Sequence, residues 1–184
     1  MDKKLKKYIE RYEKIENCVS HEFMPNGGMM VLINQETDCE VLIGDEVYEL
    51  KSFHSMLLNA YETSMFVQSQ ENINLIVVRF KGAGASFFYE EQMDEFMQVP
   101  QEPIFIEKNI LENELDSYFK NRLTTSQLPF NMMKVIDLLD EQGSSYNIEE
   151  VLAIANIPRK ILDKIFSLRT GLSIKTYARL TEFG

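Results

Sequence analysis

The hydrophobic rhythm of the chain changes part-way along, and the change divides it in two. Short apolar or β-branched runs at 29–34, 40–43, 54–59, 65–69 and 75–80 are separated by turn signals at Pro25-Asn26-Gly27-Gly28, Asn34, Gly44-Asp45 and Glu71-Asn72. Several short strands at such spacing predict a small barrel or sandwich. Ahead of them Leu5, Tyr8, Ile9 and Tyr12 recur at helical spacing, predicting a short helix that leads into a strand near Ile15. Gly82-Ala83-Gly84-Ala85 breaks the alternation, and Phe87, Phe88, Met93 and Phe96 continue in a helical phase. Residues 109–121 read as a crossing helix, 123–129 as a polar linker, and 130–142 as a further helix.

The last third is purely helical in pattern. Ile148, Val151, Leu152 and Ala155 mark a short amphipathic helix with Glu149 and Glu150 in its first turn, where they complement the positive end of the helix dipole. Asn156 tolerates the left-handed conformation that ends helices, and Pro158 suits the first turn of the next one. In that second helix Ile161, Leu162, Ile165, Phe166 and Leu168 are expected to face the core. Arg159, Lys160, Asp163, Lys164 and Ser167 then fall on the other side. Gly171 ends the helix, and Ser173 caps a third through Tyr177 and Leu180. Two short helices around a tight turn, the second basic on its free side, form a helix-turn-helix pattern suited to a DNA groove. The fold class is therefore α+β: a β-rich sensor or dimerisation domain at 1–105, a helical linker at 106–128, and a helical subdomain at 129–184.

Charge sharpens this division. The chain of 184 residues has a formal net charge of −10. From Lys120 onward nine Lys/Arg less seven Asp/Glu leave +2, and the remaining ten basic less twenty-two acidic side chains leave −12. An acidic body is repelled by phosphates, which confines any DNA contact to the C-terminal part and predicts weak, salt-sensitive binding by this chain alone. The basic start lacks the apolar core of a signal peptide, and no run is long enough to cross a bilayer. A cytoplasmic protein without a membrane partner is the expectation. The two cysteines, Cys18 and Cys39, are far apart and read as reduced structural thiols.

A resemblance gathers these observations. Phe166, Thr170-Gly171, Ser173, Tyr177 and Arg179 stand at the spacing found in the first helix-turn-helix of the AraC family of bacterial transcription regulators, which the last third of the chain resembles. Upstream, residues 5–12, Pro25 to Gly28 and 78–86 resemble a small cupin-like sensor domain found in front of some such regions. The resemblance implies a regulator whose partners are double-stranded DNA, an unknown small-molecule effector and a second copy of itself in a homodimer. It places Arg159, Lys160, Asp163, Lys164 and Lys175 against DNA. Asp163, Pro158 and Glu182 depart from the pattern: a carboxylate only accepts hydrogen bonds, the proline replaces a capping serine, and the glutamate replaces a basic residue. Family members also carry a second helix-turn-helix beyond a long helix, which here begins near Ser173 and stops at Gly184. The expectation is either a fragment of a longer regulator or a short form that needs a partner to grip DNA.

Little else carries chemistry. His21 and His54 are the only histidines, and no His/Glu/Cys cluster has metal-ligand spacing, so no metal and no cofactor are expected. No nucleophile-elbow or phosphate-loop spacing is present, so the chain does not read as an enzyme. Arg79, alone among apolar neighbours, pairs either an anionic ligand or, the favoured reading, a structural carboxylate. Tyr12, Phe53 and Met65 are candidates to line an apolar effector pocket with it. The alternative to a DNA-binding regulator is a small-molecule- or protein-binding module that has lost DNA binding.

Overall fold

Residues 73–80 are apolar except for Asn74 and Arg79, and the two faces of that run go to different cores. Leu75 and Val77 enter one buried cluster, while Ile76, Val78 and Phe80 enter another. A strand apolar on both faces has to lie between two layers. The computed structural model, which describes residues 1–25, 28–60, 63–98, 102–108, 110–123 and 131–183, places it at the centre of a curled antiparallel sheet.

The strands are β1 (Ile9–Phe23), β2 (Met30–Asn34), β3 (Cys39–Ile43), β4 (Glu46–Leu50), β5 (His54–Leu58), β6 (Met65–Phe80) and β7 (Ile104–Lys108). Their order is β4-β3-β6-β2-β5-β7, with β1 along the other side of β6. The runs at 65–69 and 75–80 are thus one strand, not two. The polar stretch Gln70 to Asn72 does not turn the chain, because β6 passes there from pairing β3 to pairing β2. Irregularities beside it are absorbed by β1, whose register shifts around Asn17, a residue at φ 61°. The expected helix at the start is only a single 3-10 turn, Leu5–Lys7, and Tyr12 lies in β1. The hairpin β3–β4 closes at Gly44, whose φ of 59° suits a residue without Cβ. Neither β4 nor β7 was anticipated.

One face of the sheet is packed by its own curl: Leu32, Val41, Met56, Leu58, Leu75 and Val77 are buried there. The other face carries the helices. These are α1 (Glu90–Gln98), α2 (Leu115–Arg122), α3 (Met132–Gln142), α4 (Ile148–Ala155), α5 (Arg159–Thr170) and α6 (Ile174–Leu180). The crossing element expected at 109–121 is shorter: a 3-10 turn at Glu112–Glu114 followed by α2. Apart from Leu123, the linker expected at 123–129 lies outside the described residues, as does Phe130. Phe119 meets Phe80, Phe88 and Tyr118 edge to face at centroid distances of 5.0–5.8 Å. The same buried cluster runs on through Val135, Ile136, Leu162 and Ala178, so the helical end shares a core with the sheet. Both cysteines are free; burial pushes the Cys39 thiol up to about 12.

Candidate nucleic-acid interface

The helix-turn-helix is assembled by local chemistry. Asn147 Oδ1 accepts from the Glu149 amide at 3.0 Å and starts α4. Asn156 ends that helix in the left-handed region at φ 52°, ψ 37°. Pro158 supplies the carbonyl from which α5 begins, receiving Ile161 and Leu162 amides at 2.9 and 3.0 Å. At the far end Gly171 turns left-handed at φ 71°, and Thr170 Oγ1 donates to the Phe166 carbonyl at 2.8 Å while accepting from the Leu172 amide at 3.1 Å. Ser173 Oγ then accepts from the Thr176 amide at 3.0 Å and opens α6.

Leu162, Phe166 and Thr170 form the buried stripe of α5. Ile161 was expected beside them but is 48 % exposed. It sits about 100° round the helix from Leu162, outside the strip covered by neighbouring elements. Ser167, expected to face outward, is half-buried. Arg159, Lys160, Asp163 and Lys164 are all exposed and share the free side of α5; Lys175 is exposed in the first turn of α6. Arg159 Nε stands 3.8 Å from Asp163 Oδ2, a loose pair on a solvated face. The free side therefore offers three cations, one partly answered by a carboxylate. Cations can meet phosphates or guanine acceptors; Asp163 can only accept.

Behind this surface α5 is tied to α1, and the helices of the helical end to one another, by contacts that no local spacing announces. Arg169, at the end of α5, donates to Glu90 of α1 at 2.8 Å. Tyr177 of α6 meets Phe166 edge to face at 5.5 Å and donates to Asp140 Oδ1 of α3 at 2.7 Å. Burial, reinforced by the Asp140 charge, raises the Tyr177 pKa well above its usual value. Desolvation also raises that of Asp140, against the lowering effect of the donated hydrogen bond. Glu182, noted for replacing a basic residue, accepts from the Ser144 amide at 2.9 Å and from its hydroxyl, fastening the turn after α3.

The four candidate effector residues do not converge. Arg79 Nε donates to Glu13 Oε2 at 2.8 Å, and its guanidinium lies 5.4 Å from the Phe23 ring centroid, so the strand arginine has the structural carboxylate. Tyr12 stacks on Phe119 and donates to Asp116 at 3.0 Å on the helix-bearing face. Met65 is core on the opposite face, and Phe53 is 48 % exposed at φ 58°. An open cleft of about 600 Å³ does join the two parts of the chain. It is lined by Glu13 and Arg79 from the sheet and by Asp137, Asp140 and Tyr177 from the helical end. Among the described residues no group of three or more His, Cys, Asp or Glu could hold a metal ion, and no helix is long and apolar enough to cross a membrane.

Compared by sequence, the chain matches no protein-family model and no curated protein. Compared by structure, it is similar to ToxT from Vibrio cholerae, with a TM-score of 0.51 and 12% identity over 93% of this chain and 79% of that one. ToxT bound to (E)-4-(8-methylnaphthalen-1-yl)but-3-enoic acid gives 0.51 and 13% identity, over 93% and 80% of the two chains. Unsaturated fatty acid bound ToxT gives 0.50 and 10%, over 92% and 76%. At these identities the likeness establishes the fold alone: a curled antiparallel sheet joined to a helical end, the architecture shared with ToxT.

Proposed function

We propose that this chain is a DNA-binding transcription regulator of the AraC type, working in the cytoplasm without catalytic chemistry. Its front domain senses a small molecule or self-associates, and α5 reads the major groove. The observation that carries the reading is the free side of α5. Arg159, Lys160 and Lys164 stand in solvent on a helix whose opposite side is locked into the core by Leu162 and Phe166. Coupling between the parts runs through Arg169–Glu90 and the cleft between Arg79 and Tyr177, where an effector would bias how α5 is presented. Bound ligands in ToxT structures are a precedent for small molecules on this fold.

The test is Lys160→Ala/Lys164→Ala in the whole chain, with duplex binding measured across a salt series. Each lost phosphate contact should flatten the dependence of log affinity on log salt by about one. Unchanged affinity and slope would exclude α5 as the reader. A second reading, a module that binds a small molecule or protein without touching DNA, is favoured by the net charge of −10. It predicts no duplex binding even at low salt, together with thermal stabilisation by the ligand.

A further inference from the structure

Among the described residues, Ile161 is the one exposed large hydrophobic side chain that stands on an α-helix. The others lie in strands, in connecting segments or at the start of the chain, where scattered apolar side chains are ordinary. α5 buries Leu162, Phe166 and Thr170 on one side, so an isoleucine turned away from them has no packing role. At 100° per residue that buried stripe spans about 80° of the helix. The line directly opposite runs about 20° from Lys164, about 40° from Ile161 and about 60° from Lys160. Ile161 thus shares the outermost face of α5 with two lysines.

The apolar patch there is one side chain wide. Ile157 and Ile165, a turn to either side, pack against the core cluster, and Leu168, two turns on, is half-buried. A single branched side chain is too small to centre a protein–protein interface, which takes about 20–30 residues a side. It matches in scale the one apolar group that a major groove offers, the 5-methyl of thymine. That methyl lies among base acceptors and phosphates, the groups that lysines meet. Position agrees with scale, because Ile161 is the third residue of α5, and the N-terminal residues of a reading helix reach base edges.

We infer that Ile161 reads a thymine, burying its side chain against the 5-methyl group while Lys160 and Lys164 hold nearby acceptors or phosphates. The inference rests on the reading of α5 as the DNA-contacting helix and adds the base that this helix prefers. An ammonium group gains nothing from a methyl, so a preference for thymine over uracil belongs to the isoleucine and not to its neighbours.

The probe is a set of duplexes enriched by the full chain from a random pool, with each thymine replaced in turn by uracil. That exchange removes the methyl and keeps every hydrogen-bonding group. At one thymine per bound chain the wild type should lose roughly three- to fivefold in affinity. Ile161→Ala should bind the thymine duplex about as weakly as the wild type binds the uracil one, with no preference between them. Ile161→Val should keep most of the preference. Thermal unfolding of Ile161→Ala should match the wild type, since the position is exposed. Lys160→Ala/Lys164→Ala should weaken binding to both duplexes by the same factor. The inference is overturned if the lysine variant loses affinity while no uracil exchange weakens the wild type, or while Ile161→Ala still prefers thymine; α5 then reads by its cations alone. A lysine variant that binds as tightly as the wild type removes α5 as the reader, and both readings fall. A pool in which no sequence is enriched also overturns the inference, because the bases then contribute nothing to binding.

Discussion

Gly171 packs against Asn59 so closely that a Cβ on it would stand 2.3 Å from the Asn59 amide nitrogen. Asn59 lies just past β5 and Gly171 just past α5, so the end of the proposed reading helix is seated directly on the sheet domain. Gly171→Ala meets two penalties: a left-handed φ of 71° and that contact. Together they should lower stability by about 2 kcal/mol, a fall in Tm of roughly 4–8 °C for a chain of this size. Thermal unfolding of Gly171→Ala, Asn59→Ala and the double variant separates the two. Relief of the contact should make the double milder than the sum, by about 0.5 kcal/mol or more. Strict additivity would mean that the seat is not formed.

Arg79 is 8 % exposed, and its removal leaves Glu13 half-buried without its main cation. Arg79→Ala should destabilise by about 2–3 kcal/mol near neutral pH. The pH dependence identifies the pair. Burial tends to raise the Glu13 pKa, but the Arg79 hydrogen bond and charge outweigh it and hold the carboxyl below its ordinary 4.5. That stabilisation is full above 4.5 and is lost as pH falls through the lower folded value. Chemical denaturation of both proteins should therefore show the gap between them narrowing in acid. A gap that stays constant would assign the loss to packing alone.

Asp163 is the one acid on the free side of α5, and it makes only the loose pair with Arg159. Removing its charge relieves phosphate repulsion and frees the arginine. Asp163→Asn should tighten binding to an arbitrary duplex at low salt by roughly two- to fivefold. If Asp163 accepts from a cytosine, binding to the cognate site should weaken at the same time. Fluorescence anisotropy with both duplexes distinguishes these, and no change with either would remove α5 from the DNA.

What could be read in the sequence was what depends on near neighbours. Asn156, Gly171 and Ser173 each took the predicted capping role, because left-handed tolerance and a short hydroxyl act within a few residues. The basic side of α5 followed from helical spacing. Arg79 found the favoured carboxylate, though the sequence could not say that Glu13, 66 positions earlier on the neighbouring strand β1, would supply it. Local signals failed where the sheet decided. Glu71-Asn72 looks like a turn, yet β6 runs on through it, paired with β1 both before and after that stretch. Tyr12 keeps a helical interval from Leu5, Tyr8 and Ile9, but pairing with Val78 makes it a strand residue. Arg169–Glu90 and Tyr177–Asp140 join residues 79 and 37 positions apart, and no periodicity marks such partners.

Tyr177 and Asp140 hold α6 to α3, and their titration should be visible in stability. Loss of hydration raises the Asp140 pKa above its ordinary 3.8, with Asp137 and Glu10 acting in the same direction and the Tyr177 hydrogen bond and Lys81 opposing. Between 3.8 and the raised value the folded chain keeps a proton that the unfolded chain has released. Stability from this site is therefore present in acid and declines as pH rises through that window, then levels off. Asp140→Asn stays neutral throughout and can still accept from the Tyr177 hydroxyl. It should match the wild type at the acid end and exceed it near neutrality, with a flatter profile between. Urea unfolding from about pH 3 to about pH 8 gives both curves. Parallel profiles would mean the Asp140 carboxyl is fully hydrated when folded, and that the contact between α6 and α3 rests on Phe166 and Tyr177 packing alone.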